Sequence, residues 1–120
     1  MRFEERELKS YAEPIAAEDL NEGSVYFALN YVDDDMLIPT METVVYVGRD
    51  FEAGDSGVVY FQDIRSYREG IRYGTPTELN YAEFFCGSER EVSHIFTYER
   101  ALEELMKCAL RRRKAEQRER

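Results

Sequence analysis

The chain has 120 residues, of which 43% are hydrophobic and 13% aromatic, and its formal net charge is −9. This length and composition predict one domain whose core needs no disulfide or metal for stability. The acidic balance argues against a general nucleic-acid binder, because a negative surface repels phosphate.

The first 13 residues are mostly charged and predict a loosely held arm. Their charge is unlike the apolar core of a signal peptide, and no apolar run approaches the ~20 residues that cross a bilayer. The chain has two cysteines, too few for a disulfide framework. These features together predict a cytoplasmic protein in a reducing compartment.

Residues 14–87 are expected to form a sheet, after one or two helical turns within residues 14–20. Strand-like composition between turn residues predicts strands at residues 24–31, 36–39, 43–48, 57–63 and 81–86. The run Thr-Val-Val-Tyr-Val-Gly at 43–48 is β-branched, aromatic and uncharged, which is typical of a central strand buried on at least part of both faces. The segment 64–73 has no clear period.

Residues 88–120 are predicted to form a helix with a basic tail. Ser88 followed by Glu91 has the spacing of a capping box, and apolar residues then recur at helical intervals. Glu99 interrupts this apolar stripe, which indicates either a break near Thr97 or the edge of the stripe. A helix of this length exceeds the width of so small a domain, so we expect its end to project and to support a homodimer.

The fold class that follows is α+β and mainly β. We expect a small curved antiparallel sheet or SH3-like barrel of about five strands, followed by one long C-terminal helix. The predicted organisation is a single domain over residues 1–120, divided into an arm (1–13), the sheet or barrel (14–87) and the helix (88–120).

One stretch of the acidic body is locally basic and aromatic. Guanidinium groups beside phenol rings suit a carboxylate, a phosphate or a stacked base. The predicted partner-binding site consists of Arg65, Tyr67, Arg68, Arg72 and Tyr73. The alternative is that these arginines only balance nearby carboxylates such as Asp63 and Glu69.

Two other groups of residues could be either a functional site or an ordinary structural feature. Cys86 and His94 together could form a nucleophilic pair, although a small hydrophobic cysteine and an unrelated histidine explain them as well. Asp33, Asp34 and Asp35 could attract a hard cation, but their spacing is not that of a calcium loop, and an exposed acidic turn is the simpler interpretation. We therefore predict no metal, no cofactor and no catalytic residue.

These observations favour a non-catalytic module that binds a protein or peptide partner through the patch at residues 65–73. The basic stretch Arg111 to Lys114 suggests an acidic surface or nucleic acid as a weaker possibility. The alternative function is a small enzyme or ligand-binding protein with a pocket at the open end of the sheet. Its titratable candidates are Asp33, Asp34, Asp35, Asp63, Cys86 and His94.

Overall fold

The computed structural model describes residues 12–74, 81–90 and 92–118. The strands are β1 (Val25–Tyr31), β2 (Pro39–Arg49), β3 (Val58–Asp63), β4 (Phe84–Ser88) and β5 (Ile95–Phe96). The helices are α1 (Ile64–Arg68) and α2 (Tyr98–Arg118), and a single 3-10 turn spans Ala17–Asp19. The predicted arm at residues 1–13 falls almost entirely outside the described residues.

All five strands belong to one antiparallel sheet in the order β4-β3-β2-β1-β5. The predicted antiparallel sheet followed by a long C-terminal helix is therefore confirmed. The sheet does not close, because β4 and β5 are its two edges and do not pair with each other. The open sheet, rather than an SH3-like barrel, is the form that this chain adopts.

The predicted central strand lies in β2, where Val44, Val45 and Tyr46 are buried. Strand β2 also begins earlier than the sequence suggested, at Pro39, which pairs with Tyr31. We expected Pro39 to end a strand. The first position of a strand tolerates proline, since the missing N–H there need not interrupt the ladder.

The two faces of the sheet carry separate apolar clusters, because neighbouring residues of a strand point to opposite sides. On the first, called face A, the buried cluster consists of Leu20, Tyr26, Val44, Tyr46, Val59, Phe61, Val92 and Ile95. On the second, called face B, Ala12, Leu29, Phe96 and Ala101 form a smaller cluster that includes the first turns of α2. Helix α2 thus packs on face B beside β1 and β5.

The long helix begins at Tyr98 and not at Ser88, so the predicted start was wrong. The segment before it folds onto the sheet, because Ile95 and Phe96 pair with β1 as strand β5 and are both buried. Ile95 and Phe96 fit the apolar period of a helix, but in the structure they extend the sheet beside β1. Of the two explanations for the interruption of the apolar stripe at Glu99, a break near Thr97 is the correct one, because α2 begins at the next residue, Tyr98.

Helix α2 has 21 residues, which makes it about 32 Å long at ~1.5 Å per residue. No helix among the described residues is both long and apolar enough to cross a membrane.

Gly48 provides a test of the packing in β2. It lies where the pairing with β3 shifts, its φ is +143°, and an added Cβ would stand 2.5 Å from the Phe51 ring. We expect Gly48→Ala to lower the free energy of unfolding by about 1–3 kcal/mol from backbone strain alone, with a further loss from displacing Phe51. Urea unfolding measures the change.

The matched control for this substitution is Gly54→Ala. Gly54 also has a positive φ, +91°, but no atom lies within 4 Å of the added Cβ. Equal losses for the two variants would show that contact with Phe51 plays no part.

Candidate functional site

Strand β4 has an outer edge with which no described residue pairs. The N–H of Glu89 donates to the Gly57 carbonyl at 2.8 Å, and the N–H of Asp63 donates to the Glu83 carbonyl at 3.1 Å. In an antiparallel ladder, hydrogen-bonded and non-hydrogen-bonded pairs alternate. The intervening β4 residues that are not bonded to β3 are therefore Phe84, Cys86 and Ser88, whose N–H and C=O groups point outward.

Within the described residues, this edge shows no lysine, proline or bulge that would discourage pairing with another strand. Natural edge strands commonly carry lysine, proline or a bulge. Strand β4 has the sequence Phe-Phe-Cys-Gly-Ser, with neither a charge nor a proline, in a chain of which 34% is charged. The pairing with β3 shows no bulge, and the Phe85 side chain is 38% exposed.

A cavity of ≈ 270 Å³ lies on face A next to β4. Apolar side chains, including Val44, Phe61 and Phe85, form much of its lining. Polar side chains that also line it are Asn30, Thr40, Glu42 and His94. A mostly apolar cavity with a few polar groups is the usual form of a site for a small ligand or a single side chain.

An aromatic cluster covers the same end of the sheet on face B. The Tyr73 ring lies 4.9 Å from Phe51, 5.4 Å from Tyr60 and 5.2 Å from Phe84, measured between centroids. Such offset and edge-to-face pairs add stability beyond their buried area. The cluster therefore connects Tyr73, one of the predicted site residues, to β4 through Phe84.

The hydroxyls of this cluster are engaged with acidic side chains. The Tyr60 hydroxyl donates to Asp55, and the Tyr73 hydroxyl donates to Glu52. The hydrogen bond to Asp55 is the main reason that the pKa of Tyr60 is raised to about 12. Sequence reasoning missed Phe51 and Glu52, because no local pattern connects the 49–56 loop with Tyr73.

Tyr67 and Arg72 of the predicted patch lie together. The Arg72 guanidinium carbon is 3.9 Å from the Tyr67 ring centroid, the distance of a stacked cation–π pair. Nη1 of Arg72 also donates to the carbonyls of Tyr67 and Ile71 at 2.9 and 2.8 Å. These contacts stabilise the turn after α1.

Arg65 and Arg68 lie on α1 and are exposed. Arg65 forms a loose ion pair with Glu69 at 3.6 Å, and its guanidinium lies 5.5 Å from the centroid of the Tyr81 ring. Tyr81 precedes β4 by three residues, so Arg65 is close to the beginning of the free edge. The five residues of the predicted patch therefore do not form one surface. Tyr67 and Arg72 form a stacked pair, Arg65 and Arg68 are exposed on α1, and Tyr73 belongs to the aromatic cluster.

The segment 64–73, which had no clear period, contains α1 because Asp63 caps it. The Asp63 carboxylate accepts hydrogen bonds from the N–H groups of Ser66 and Glu83, both at 2.9 Å. Burial acts to raise the pKa of Asp63, but these hydrogen bonds and that of the Ser66 hydroxyl outweigh it, and the pKa is lowered. The Asp-x-x-Ser spacing is a capping signal that the sequence does contain.

The proposed nucleophilic pair is not supported by the placement of its members. Cys86 and His94 both contribute to the lining of the cavity on face A. Cys86 is nevertheless paired with Tyr60, which assigns its side chain to face B of β4. Cys86 and His94 share a cavity lining, but no hydrogen bond joins them among the described residues, so they do not form a nucleophilic pair in this structure. Cys86 is exposed at the edge of the sheet.

The acidic triplet forms a turn before β2. Both carboxylate oxygens of Asp33 accept the N–H of Leu37, and Oδ1 also accepts that of Ile38 at 2.8 Å. This is the role of an aspartate that closes a turn. In the part of the chain that the structure describes, no three His, Cys, Asp or Glu side chains are placed to hold a metal ion.

A buried carboxylate that sequence reasoning missed attaches α2 to the sheet. Glu104 is 2% exposed and accepts hydrogen bonds from the N–H of Ala12 at 2.9 Å, from Arg111 at 3.0 Å and from the Tyr31 hydroxyl. Arg111 also donates to the Tyr31 oxygen at 2.8 Å. Buried charges require such complete pairing, because an unpaired one would be costly.

The environment of Glu104 shifts two pKa values in opposite directions. Burial acts to raise the pKa of Glu104, but the hydrogen bonds from Tyr31, Ala12 and Arg111 outweigh it, so the pKa is lowered. The pKa of Tyr31 is raised, first by burial and then by its hydrogen bond to the Glu104 carboxylate. Since these groups satisfy one another, we interpret the cluster as structural.

No protein-family model matches the chain, and neither a curated protein nor a solved structure is significantly similar to it. The geometry of this chain is therefore the basis for any proposal about its function.

The first test of this geometry concerns Glu104. Because its folded pKa is lowered, the carboxylate stabilises the fold above the unfolded pKa, and the contribution is lost as the pH falls through the folded value. We expect Glu104→Gln to reduce the free energy of unfolding at pH 7 by about 1–3 kcal/mol. The deficit should shrink below pH 4.5, the ordinary value of the group.

Urea unfolding at several pH values measures this difference, with the exposed Glu116→Gln in the same helix as the control. If the loss of unfolding free energy caused by Glu104→Gln stays constant down to low pH, the loss comes from altered packing or hydrogen bonding and not from the charge of Glu104.

The second test concerns the cysteines. Cys86 is exposed, whereas Cys108 is buried, with its sulfur 3.6 Å and 3.7 Å from the carbonyl oxygens of Leu37 and Met36. We expect a disulfide-exchange reagent to modify one thiol rapidly in the folded chain and the second only after unfolding. Cys86→Ala should abolish the rapid phase, and two rapid thiols would contradict the packing of α2.

Proposed function

We propose that this chain is a non-catalytic module that binds an extended peptide segment of another protein, which adds to the sheet as a sixth strand beside β4. In this mode of recognition, backbone hydrogen bonds supply affinity, and pockets for alternate side chains supply specificity. The observation that carries the proposal is the outer edge of β4, which is uncharged and unpaired among the described residues.

The surroundings of the edge suit both sets of side chains that an added strand would present. Residues of a strand alternate between the two faces. On face A the peptide would meet Phe85 and the cavity of ≈ 270 Å³, which favours a medium-sized apolar side chain. On face B it would meet Phe84 and Tyr73, which favours an aromatic or branched one.

The predicted patch contributes to this site as part of the proposal. Arg65 is exposed close to the first residues of β4 through its contact with Tyr81. A carboxylate on the peptide at that end would pair with its guanidinium. Arg68, also exposed on α1, would add to the positive potential there. Tyr67 and Arg72 would act indirectly, since they hold the turn after α1.

A second function, the binding of a small ligand, is supported by the same cavity. Glu42 and His94 at its lining could orient a ligand that carries a hydrogen-bond donor and an apolar body. We rank small-ligand binding second, because the same cavity would also accommodate a side chain of the bound peptide. A cytoplasmic location and a homodimer remain predictions.

The test uses peptides selected from a random library displayed on phage, with the full chain as the target. The N–H of Cys86 points away from β3, so Cys86→Pro removes an outward donor without breaking the existing ladder. We expect this variant to bind the selected peptides at least about tenfold more weakly, the equivalent of about 1.4 kcal/mol. Fluorescence polarisation of labelled peptides measures the affinity.

The matched control is Cys86→Ala, which keeps the N–H and removes the same side chain, and which should bind as the native chain does. Circular dichroism and thermal unfolding verify that both variants fold. Selection of no peptide, or equal binding by the folded proline variant, would overturn strand addition at β4.

A further inference from the structure

Helix α2 carries an apolar stripe on the side that faces away from the sheet. Its contact with the body is made through Ala101, Glu104 and Cys108, which are buried. Residues Leu102, Met106 and Leu110 follow one another at intervals of four, so they lie together on another face of the helix. Their exposed fractions are 49%, 70% and 54%.

The angles of Glu104 and Met106 around the helix axis show that the buried face and the apolar stripe are on opposite sides of α2. Successive residues are ~100° apart at 3.6 residues per turn. Taking Glu104 as the reference, Met106 is ~200° away, and therefore almost directly opposite to the buried carboxylate. The stripe is thus a face of α2 that no other described segment of the chain covers.

The charges along this face are ordered. Glu99 lies seven residues before Met106, and Arg113 lies seven residues after it. Both side chains are exposed, and in the described part of the chain no ion pair includes either of them. Leu102 and Leu110 are likewise each four residues from Met106.

This order is self-complementary for one arrangement of two helices. If two copies of α2 run antiparallel with Met106 on the two-fold axis, a residue before Met106 faces the residue equally far after it on the other copy. Leu102 then faces Leu110, and Glu99 faces Arg113. An isologous interface requires this property, since the same surface serves both partners.

The parallel arrangement has the opposite consequence. Equivalent residues would face each other, so that Glu99 would lie beside Glu99 and Arg113 beside Arg113. Like charges across an interface are unfavourable. The charge order therefore selects the antiparallel pair.

We propose that α2 of this chain binds α2 of a second copy as an antiparallel pair about Met106, with Leu102 on Leu110 and Glu99 on Arg113. The body of each copy lies on the far side of its own helix, so the two sheets do not obstruct the contact. One helix pair buries less than the ~800 Å² per partner of a standard interface, so we expect a weak dimer that forms with rising concentration.

The test measures the oligomeric state of the full chain by sedimentation over a concentration series. Glu99→Arg and Arg113→Glu should each weaken the dimer at least about tenfold, because each places like charges opposite one another. The double variant Glu99→Arg with Arg113→Glu reverses both charges and should restore it. Added salt should weaken the native dimer by screening the pairs.

These variants distinguish the arrangements. A chain that stays monomeric into the high micromolar range, or a dimer that neither single variant weakens, would overturn the proposal. Weakening by each single variant without rescue by the double variant would overturn the antiparallel pairing. Circular dichroism verifies folding, which we expect to be unaffected because both positions are exposed.

A second measurement locates the axis by cross-linking in a Cys86→Ala background. Met106→Cys should form a disulfide between copies under mild oxidation, because the two sulfurs meet near the axis. Leu102→Cys is the matched control and should not, since the two positions would be about 12 Å apart along the helix at ~1.5 Å per residue. Equal cross-linking at both positions indicates parallel helices and would overturn the proposal.

Discussion

The structure depends on the burial of the middle of β2. Val45 is fully buried, with Val25 and Gln62 as its neighbours across the sheet, and Val44 and Tyr46 complete the run on the other face. β1 pairs with residues 39–45 of β2 and β3 pairs with residues 44–49, so Val44 and Val45 are the positions where β2 is hydrogen-bonded to a strand on each side. On the β3 side of this central strand the sheet ends at β4, whose edge the chain presents without a charge.

The ionic cluster around Glu104 has a comparable effect on the helix. The hydrogen bonds that Glu104 accepts from the Tyr31 hydroxyl and the Ala12 N–H join α2 to groups outside the helix and so fix its rotation about its own axis. Once that rotation is set, Met106 and its neighbours on the stripe have to lie on the opposite side. A single buried carboxylate thus decides both what α2 packs against and which apolar side chains are left in solvent.

The two proposed binding surfaces, the β4 edge and the exposed face of α2, would differ in the physical basis of their selectivity. A strand edge offers backbone donors and acceptors, so it accepts many sequences and discriminates mainly through adjacent side-chain sites. In the proposed dimer, the exposed face of α2 would instead depend on an order of charges, which would favour a second copy over an unrelated helix. A dimer would also present two β4 edges, and a partner with two segments would gain avidity.

The sequence by itself determined the class of fold, the central strand and the presence of a long C-terminal helix with a basic end, since these follow from local periodicity and β-branched composition. It could not show that Ile95 and Phe96 form a strand, because a two-residue pairing with β1 has no period of its own. Nor could it show which arginines of residues 65–72 stack on tyrosines. The free edge of β4, the cavity beside it and the burial of Glu104 were decided only by the tertiary structure, because each arises where residues far apart in the chain come into contact.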